Sequence, residues 1–372
     1  MRIVEVCPYD MARPGGVQNH VRDLAVWLSN EGHEVVILAP RSSVGQAEAR
    51  LRTVGRQHLI RLHGTVTEIS LAGRADMAAL RQSMAEFRPD IVHLHTPWTP
   101  LMPWQAWRAI RRPTVATFHA TLPDPTSMFS RALLGAARYF LKRIDAGIVP
   151  SGVPLKALPK GDDLAPVTII PPAVDLAPWF AASRPRNGID VSVVFLGRLE
   201  HRKGVDVLMR AWELAAPHLS GARLTIAGSG PLQAGVQAWS EGRTDATYLP
   251  APDAAKARAL FGSADIVVAS SRNGESFGLV LGEAMAAGAV PVAAANAGYA
   301  STLAGPHADN LLYPPEDAGE LAERLVELAG NRDLRLAICD WGRERARAID
   351  MPAVGPRYVE LFDGVLSGRI RR

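Results

Sequence analysis

Short apolar runs alternate along this chain with longer stretches whose apolar positions recur every three or four residues. Runs of four to six apolar residues fit strands buried on both faces, and the longer pattern fits amphipathic helices. Their alternation predicts βαβ units and parallel sheets. In the first half, strands are predicted over Ile3–Cys7, Glu34–Ala39, Ile91–Leu94, Thr114–Phe118, Ala146–Val149 and Val167–Ile170. A helix is predicted over Gly16–Asn30, where Val17, Val21, Leu24, Ala25 and Leu28 share one face and Gly32 supplies a stop. Further helices are expected near Arg74–Phe87, Leu101–Ile110 and Met128–Arg143, and the five-arginine stretch Arg41–Arg61 reads as a basic loop. Pro171, Pro172, Pro178 and Pro185 mark a hinge. The alternation then restarts. Strands are predicted at Val191–Leu196, Arg223–Ala227, Ala246–Leu249, Ile266–Ala269 and Ala289–Ala293. Helices are predicted at Val205–Ala215, Ala254–Phe261, Leu279–Ala287, Ala318–Ala329 and Leu334–Arg347. The pattern therefore describes two doubly wound α/β domains in tandem. Ligands in such sheets bind at the carboxyl ends of the strands, so the expected site is a cleft between two facing domains.

Composition supports this picture. The 372 residues are 48% hydrophobic and 21% charged, enough apolar material for two ordinary cores. The net charge of +4 is uneven: residues 1–183 carry +5 and the remainder −1. That excess is too small and diffuse for duplex DNA, so no nucleic-acid partner is expected, but it suits an anionic membrane surface or acceptor. Cys7 and Cys339 lie far apart and read as reduced thiols of a cytoplasmic protein. The most apolar long stretch, Gly278–Ala300, is interrupted by Glu283 and Pro291, so no transmembrane helix is expected.

Several chemistries drop out. There is no G-x-x-x-x-G-K-[ST] and no H-E-x-x-H. Gly228-Ser229-Gly230 follows a strand but lacks the third glycine of a dinucleotide fingerprint. No D-x-D occurs, so no dedicated metal site is expected, which leaves Mg²⁺ stimulation open.

Four segments remain, each at the end of a predicted strand. Gly15-Gly16 stands where backbone N–H groups at a helix N-terminus can approach a phosphate, although a tight turn reads the same. Gly197-Arg198-Leu199-Glu200-His201-Arg202-Lys203-Gly204 is rich in cations, and Arg198 and Lys203 can neutralise a diphosphate. Gly274, Glu275 and Gly278 form a glycine-rich loop before the helix bearing Glu283. Carboxylates bind vicinal hydroxyls, and a glutamate in so apolar a helix is costly without a partner. His119 follows the strand Thr114–Phe118 and suits either a structural or a catalytic role.

These residues match a known family. The sequence resembles the retaining, nucleotide-sugar-dependent glycosyltransferases of family four, with the GT-B fold. Glu275 and Glu283 form its E-x7-E motif within GESFGLVLGEAMAAG, and the Gly15–Gln18 loop, the Gly197–Gly204 segment and Phe118-His119 match as well. Within the family the chain looks most like bacterial phosphatidylinositol mannosyltransferases. The resemblance implies an acceptor-binding domain over residues 1–178, closed by the tail 352–372, and a donor domain over 188–351. It implies a hexosyltransferase that moves a sugar, GDP-mannose being the favoured donor, to a hydroxyl of a lipid or glycan. It implies no bound cofactor. It places the enzyme in the cytoplasm, at the inner face of the plasma membrane where the acceptor is a lipid.

The roles it implies fall residue by residue. Gly15 and Gly16 approach the donor phosphates. Arg198 and Lys203 bind the diphosphate and stabilise its departure. Glu275 holds the transferred sugar, with Gly274, Phe277, Gly278 and Leu279 around it. Glu283 binds the ribose and Lys256 the nucleobase. His119 contacts the donor sugar and the acceptor side. Tyr9, Gln18 and Trp98 face the acceptor. The chain departs from the inositol-lipid enzymes at Thr96-Pro97-Trp98 and at Ala120–Asp124, which puts the acceptor's identity in question. Trp98, Trp104 and Trp107 precede Arg108, Arg111 and Arg112, which suits either a lipid headgroup level or a core-facing helix with a basic end. The alternatives are a UDP-sugar transferase acting on another glycolipid or polysaccharide, an epimerase or phosphorylase on the same fold, and a nucleotide-sugar-binding module without turnover.

Overall fold

The computed structural model describes residues 1–13, 15–42, 50–62, 65–99, 101–120, 128–184 and 190–370. They form two compact units, Met1–Val174 with the tail from Met351, and Asp175–Asp350.

The first unit is built on eight strands: β1 Arg2–Val6, β2 Glu34–Arg41, β3 Leu51–Leu62, β4 Thr65–Leu71, β5 Ile91–His95, β6 Thr114–Thr117, β7 Ala146–Val149 and β8 Val167–Ile169. Their order is β4-β3-β2-β1-β5-β6-β7-β8. All neighbours run parallel except β3 and β4. Alternate residues feed two cores. Val4, Val6, Val36, Leu38, Val92 and Leu94 serve one, and Ile3, Val35, Ile37, Ile91 and Val115 the other. The helix Met351–Leu366 returns from the second unit to cover the latter core with Tyr358 and Phe362. It lies so close to the helix Gly16–Asn30 that a Cβ on Gly355 would sit 2.7 Å from the Trp27 ring.

The second unit has six strands: β9 Ser192–Leu196, β10 Arg223–Gly228, β11 Ala246–Pro250, β12 Ile266–Ala269, β13 Val290–Ala294 and β14 Leu312–Tyr313. They are parallel, in the order β11-β10-β9-β12-β13-β14. Each sheet therefore has a switch point, β1/β5 in the first and β9/β12 in the second, where crossovers diverge to opposite sides. Loops leaving the carboxyl ends there are the natural ligand edge.

One expectation needs correction. Among its described residues, the stretch Arg41–Arg61 is mostly strand rather than loop. Much of it is β3, paired with β2 through Ile37↔Leu51 and with β4 through Gln57↔Ser70. Its charges belong to an edge hairpin, where polar side chains are common and the alternation of a buried strand is weak. Gly55, at φ 72, breaks the pattern further, since a Cβ there would meet the Leu71 carbonyl oxygen at 2.3 Å. The units divide after Val174, within the proline-marked hinge. The helix Ala177–Ala182 packs onto the second unit, with the Trp179 ring 5.2 Å from Phe261.

Candidate functional site

The second unit's carboxyl edge is assembled from three loops that interlock through glycine. The first loop follows β9. Gly228, at φ 148 where β10 ends, lets that loop pass so close that a Cβ would lie 1.8 Å from the Gly197 carbonyl oxygen. Gly204, at φ 67, lies against the loop after β12, where a Cβ would meet the Ser270 carbonyl oxygen at 2.1 Å. Ser270 Oγ also donates to the Lys203 carbonyl at 2.9 Å. The third loop follows β13. A Cβ on Gly298 would stand 2.3 Å from the Glu275 carbonyl oxygen. Thr302 Oγ1 donates to the Phe277 carbonyl. The Tyr299 hydroxyl donates to Ser271 Oγ at 3.0 Å, and burial pushes that phenol's pKa up.

These contacts bring Lys203 and Glu275 together. Lys203 Nζ donates to Glu275 Oε1 at 2.7 Å, and Arg202 Nη1 donates to the same oxygen at 3.3 Å. Burial works to raise the Glu275 carboxyl, but the charge and hydrogen bond of Lys203 and the charge of Arg202 outweigh it and hold the group below its usual range. Glu200 sits between Arg202 and Arg198, at 3.2 and 3.4 Å. The Arg198 side chain stays 63% exposed. Gly274 and Gly278 take φ 77 and 94, and Gly278 stands directly before the helix Leu279–Ala286. No side chain caps that helix, so Phe277, Gly278 and Leu279 present backbone at an N-terminus that suits an anion. Glu283 is half-buried on the same helix. Lys256 is more remote in character: it lies 72% exposed on the helix Ala254–Ser263, with its Nζ 3.8 Å from Asp253.

The motif reading missed the brace behind this edge. Arg272 donates to both carboxylate oxygens of Asp206, at 2.8 and 2.7 Å, and also binds Glu316. The Arg272 hydrogen bond holds the Asp206 carboxyl low, and Asp206 in turn raises the guanidinium. Arg272 ties the loop after β12 to the helix Val205–Ala215. Its only signal in the sequence is an arginine next to a motif.

The first unit's carboxyl edge is different in kind. Glu5, on β1, and His93, on β5, are Cα partners across the switch point. Glu5 Oε2 accepts from His95 Nε2 at 2.6 Å and lies 2.8 Å from His93 Nδ1. His95 Nδ1 bonds His119 Nε2 at 2.9 Å. His93 Nε2 bonds Thr117 Oγ1 at 2.7 Å. Burial, with smaller contributions from neighbouring imidazoles, holds the pKa values of His95 and His119 well below their usual range. Burial also lowers His20, to about 4. Nitrogens of His20, His95 and His119 lie within 4.8 Å of one another, the spacing of a metal site. Imidazoles do not suit Mg²⁺, which prefers oxygen donors. The motifs in the sequence reach only His119. His93 and His95, two apart on one strand, and Glu5, a charge between valines, are the further signals the sequence holds.

The remaining expected residues fall on the same unit. Gly15 is extended at φ −179 and precedes the helix Gly16–Asn30, whose N-terminus carries no side-chain cap. Gln18 is buried, with Nε2 3.5 Å from the Asp10 carbonyl, and Tyr9 is half-buried against the core. Trp98 is 6% exposed and packs edge-on against Phe118 within the core. Of the two readings of the neighbouring tryptophans, their packing fits the core-facing helix with a basic end. Trp104 stacks on Tyr139 at 5.6 Å, Trp107 packs on Phe140, and both join the core. Of the Ala120–Asp124 departure, residues 121–124 lie outside the described residues.

Comparison with known proteins agrees with this geometry. Residues 14–178 match the model of Glycosyltransferase Family 4, and residues 190–331 match Glycosyl transferases group 1. The phosphatidyl-myo-inositol mannosyltransferase of Propionibacterium freudenreichii is 32% identical, covering 97% of this chain and 94% of that protein. That of Mycolicibacterium smegmatis is 31% identical, covering 100% and 96%. Among solved structures, sucrose-phosphate synthase from Thermosynechococcus elongatus superposes with a TM-score of 0.75 at 20% identity, covering 99% of this chain and 100% of that one. The fold is GT-B, and the chain belongs to the family-four glycosyltransferases, alongside the phosphatidyl-myo-inositol mannosyltransferases.

Proposed function

We propose that this hexosyltransferase moves mannose from GDP-mannose to a hydroxyl of an inositol-phospholipid-like acceptor, with retention at the anomeric carbon. The observation that carries this reading is the Lys203–Glu275 pair at 2.7 Å, beside the open helix N-terminus at Gly278. One residue neutralises a diphosphate and the other accepts hydrogen bonds from sugar hydroxyls. Mannose follows the names of the relatives, and guanosine diphosphate follows the family resemblance.

In this reading the sugar C1–phosphate oxygen bond breaks as the acceptor oxygen approaches C1 on the same face. The acceptor's proton passes to the departing diphosphate. Arg198 and Lys203 stabilise the charge that develops there. Gly15, Gly16 and the backbone at Phe277–Leu279 hold the phosphates. Glu283 takes the ribose and Lys256 the nucleobase. His119 contacts the transferred sugar, and Tyr9 and Gln18 line the acceptor side. No helix among the described residues is long and apolar enough to cross a membrane. The placing of a lipid acceptor at the inner face of the plasma membrane rests on the family resemblance.

Calorimetric titration with GDP, UDP and ADP tests the donor. Binding of GDP alone, lost in Glu283→Ala, is the expected result. Preference for UDP would transfer the reading to a UDP-sugar. Binding that survives in Glu283→Ala would remove that residue from the ribose. Product analysis with acceptor lipids then separates transfer from epimerisation or phosphorolysis.

A further inference from the structure

The chain Glu5–His95–His119 has a direction, and that direction is set by its buried end. Glu5 and His95 are fully buried and come from β1 and β5. Glu5 Oε2 faces two ring nitrogens, His95 Nε2 at 2.6 Å and His93 Nδ1 at 2.8 Å, and serves them as an acceptor. The 2.6 Å bond from His95 Nε2 to Glu5 Oε2 therefore places the His95 proton on Nε2. A neutral imidazole carries one proton, so His95 Nδ1 is an acceptor. The 2.9 Å bond between His95 Nδ1 and His119 Nε2 then places the His119 proton on Nε2, and His119 Nδ1 becomes an acceptor in turn. Both imidazoles are held neutral by burial. Reversing the first bond would reverse the whole chain.

Packing holds the rings as well as the protons. His95 and His119 stack with centroids 5.2 Å apart and an 18° angle. His20 packs edge-on against both, its Nδ1 bonded to the Ala173 carbonyl at 3.0 Å. The His20 proton is thereby committed to Nδ1, and its Nε2 is buried with no hydrogen-bond partner. His20 thus shows the remaining two histidines a lone pair rather than a donor. Among the described residues, the one carboxylate bonded to these rings is Glu5.

We propose that Glu5 is a positioning residue: acting through His95, it fixes the tautomer in which His119 stands at the end of β6, with Nε2 protonated and Nδ1 as acceptor. The consequence for function rests on the reading of His119 as a contact to the transferred sugar. An acceptor at Nδ1 takes a hydrogen bond from a sugar hydroxyl, whereas a protonated Nδ1 would have to donate one.

The test uses the full chain labelled with ¹⁵N-histidine, without ligand. Long-range ¹H–¹⁵N spectra report which ring nitrogen carries the proton, and His95→Gln and His119→Gln spectra give the assignments. Wild type is expected to show the Nε2–H tautomer at both His95 and His119. Glu5→Met keeps the size and removes the acceptor, and is expected to move both rings toward Nδ1–H. Glu5→Gln, whose amide oxygen can still accept, is expected to retain part of the wild-type pattern. Thermal melts confirm that each variant is folded. An unchanged pattern in folded Glu5→Met overturns the proposal, as does an Nδ1–H tautomer at His119 in wild type. Turnover of the same variants tests the separate reading of His119. A fall of roughly 10–100-fold in kcat with unchanged nucleotide Kd is expected from a misdirected contact. A switched tautomer with wild-type kcat would keep the positioning role and remove His119 from the sugar.

Discussion

The two sheets present the same architectural edge with opposite electrostatics. At β1/β5 the switch point holds one carboxylate among four histidines, nearly all fully buried. At β9/β12 it holds Arg198, Arg202 and Lys203 with two glutamates, all in partial contact with solvent. The first edge fixes proton positions in rings that cannot charge cheaply. The second keeps its charges and organises them by pairing. The fold supplies a place, and burial decides what chemistry that place can carry.

The largest expected effect sharpens the second edge. Lys203→Ala should lower turnover by roughly 10²–10³, the loss expected for one electrostatic group aimed at developing charge. Near-normal turnover would remove Lys203 from the diphosphate. It would also leave Glu275 bonded to Arg202 alone among its two cationic partners here.

The two edges should also titrate in different windows. His20 is neutral when folded, with a pKa lowered from 6.5 to about 4. Between those values the unfolded chain takes up a proton that the native state does not. Stability is thus intact above pH 6.5 and falls as pH drops toward 4, by roughly 3 kcal/mol from this group at one pKa unit per 1.4 kcal/mol. His95 and His119 act in the same direction. Glu275 behaves otherwise. Its carboxyl is held below 4.5, so its contribution is present above that value and is lost only below it. Denaturation midpoints from pH 7 to 3 should fall in two stages, and His20→Asn should shrink the first without changing the second. A stability constant from pH 7 to 4 would break the contrast.

Gly204→Ala probes how tightly the second edge is built. A β-carbon there would strike the Ser270 carbonyl oxygen in a backbone that L-residues disfavour. The cost should be about 1–3 kcal/mol. The displaced Lys203 backbone should lower turnover beyond what the stability loss explains. Chemical denaturation and kcat on the remaining folded enzyme check both parts.

Much of this was legible from the sequence. Strands buried on both faces declared themselves as apolar runs, and Ala146–Val149 and Ile266–Ala269 have the expected bounds. Glu275, Lys203 and Gly278 were legible because charge and glycine punctuate loops after strands. What escaped notice is what burial creates. β3 hid behind its edge arginines, and β14 is only two residues long. One-dimensional spacing does not show that Phe118 covers Trp98. Glu5, His93 and His95 come from two strands far apart in the chain, and only the parallel register makes them neighbours.

The smallest expected effect asks how far the second edge extends. Lys203 is mostly buried and bonded at 2.7 Å, whereas Lys256 is 72% exposed and 3.8 Å from its carboxylate. An exposed pair of that kind contributes little to stability, so Lys256→Ala should leave the melting temperature unchanged. A solvated ammonium near a nucleobase gains only a weak, screened contact. Nucleotide Kd should therefore rise by only about 2–5-fold, and the difference from wild type should shrink with added salt. An unchanged Kd at low salt would end the donor edge at the loops after β9, β12 and β13. A larger, salt-independent loss would mean that the lysine becomes buried when nucleotide binds, and the edge would then be organised by ligand as well as by fold.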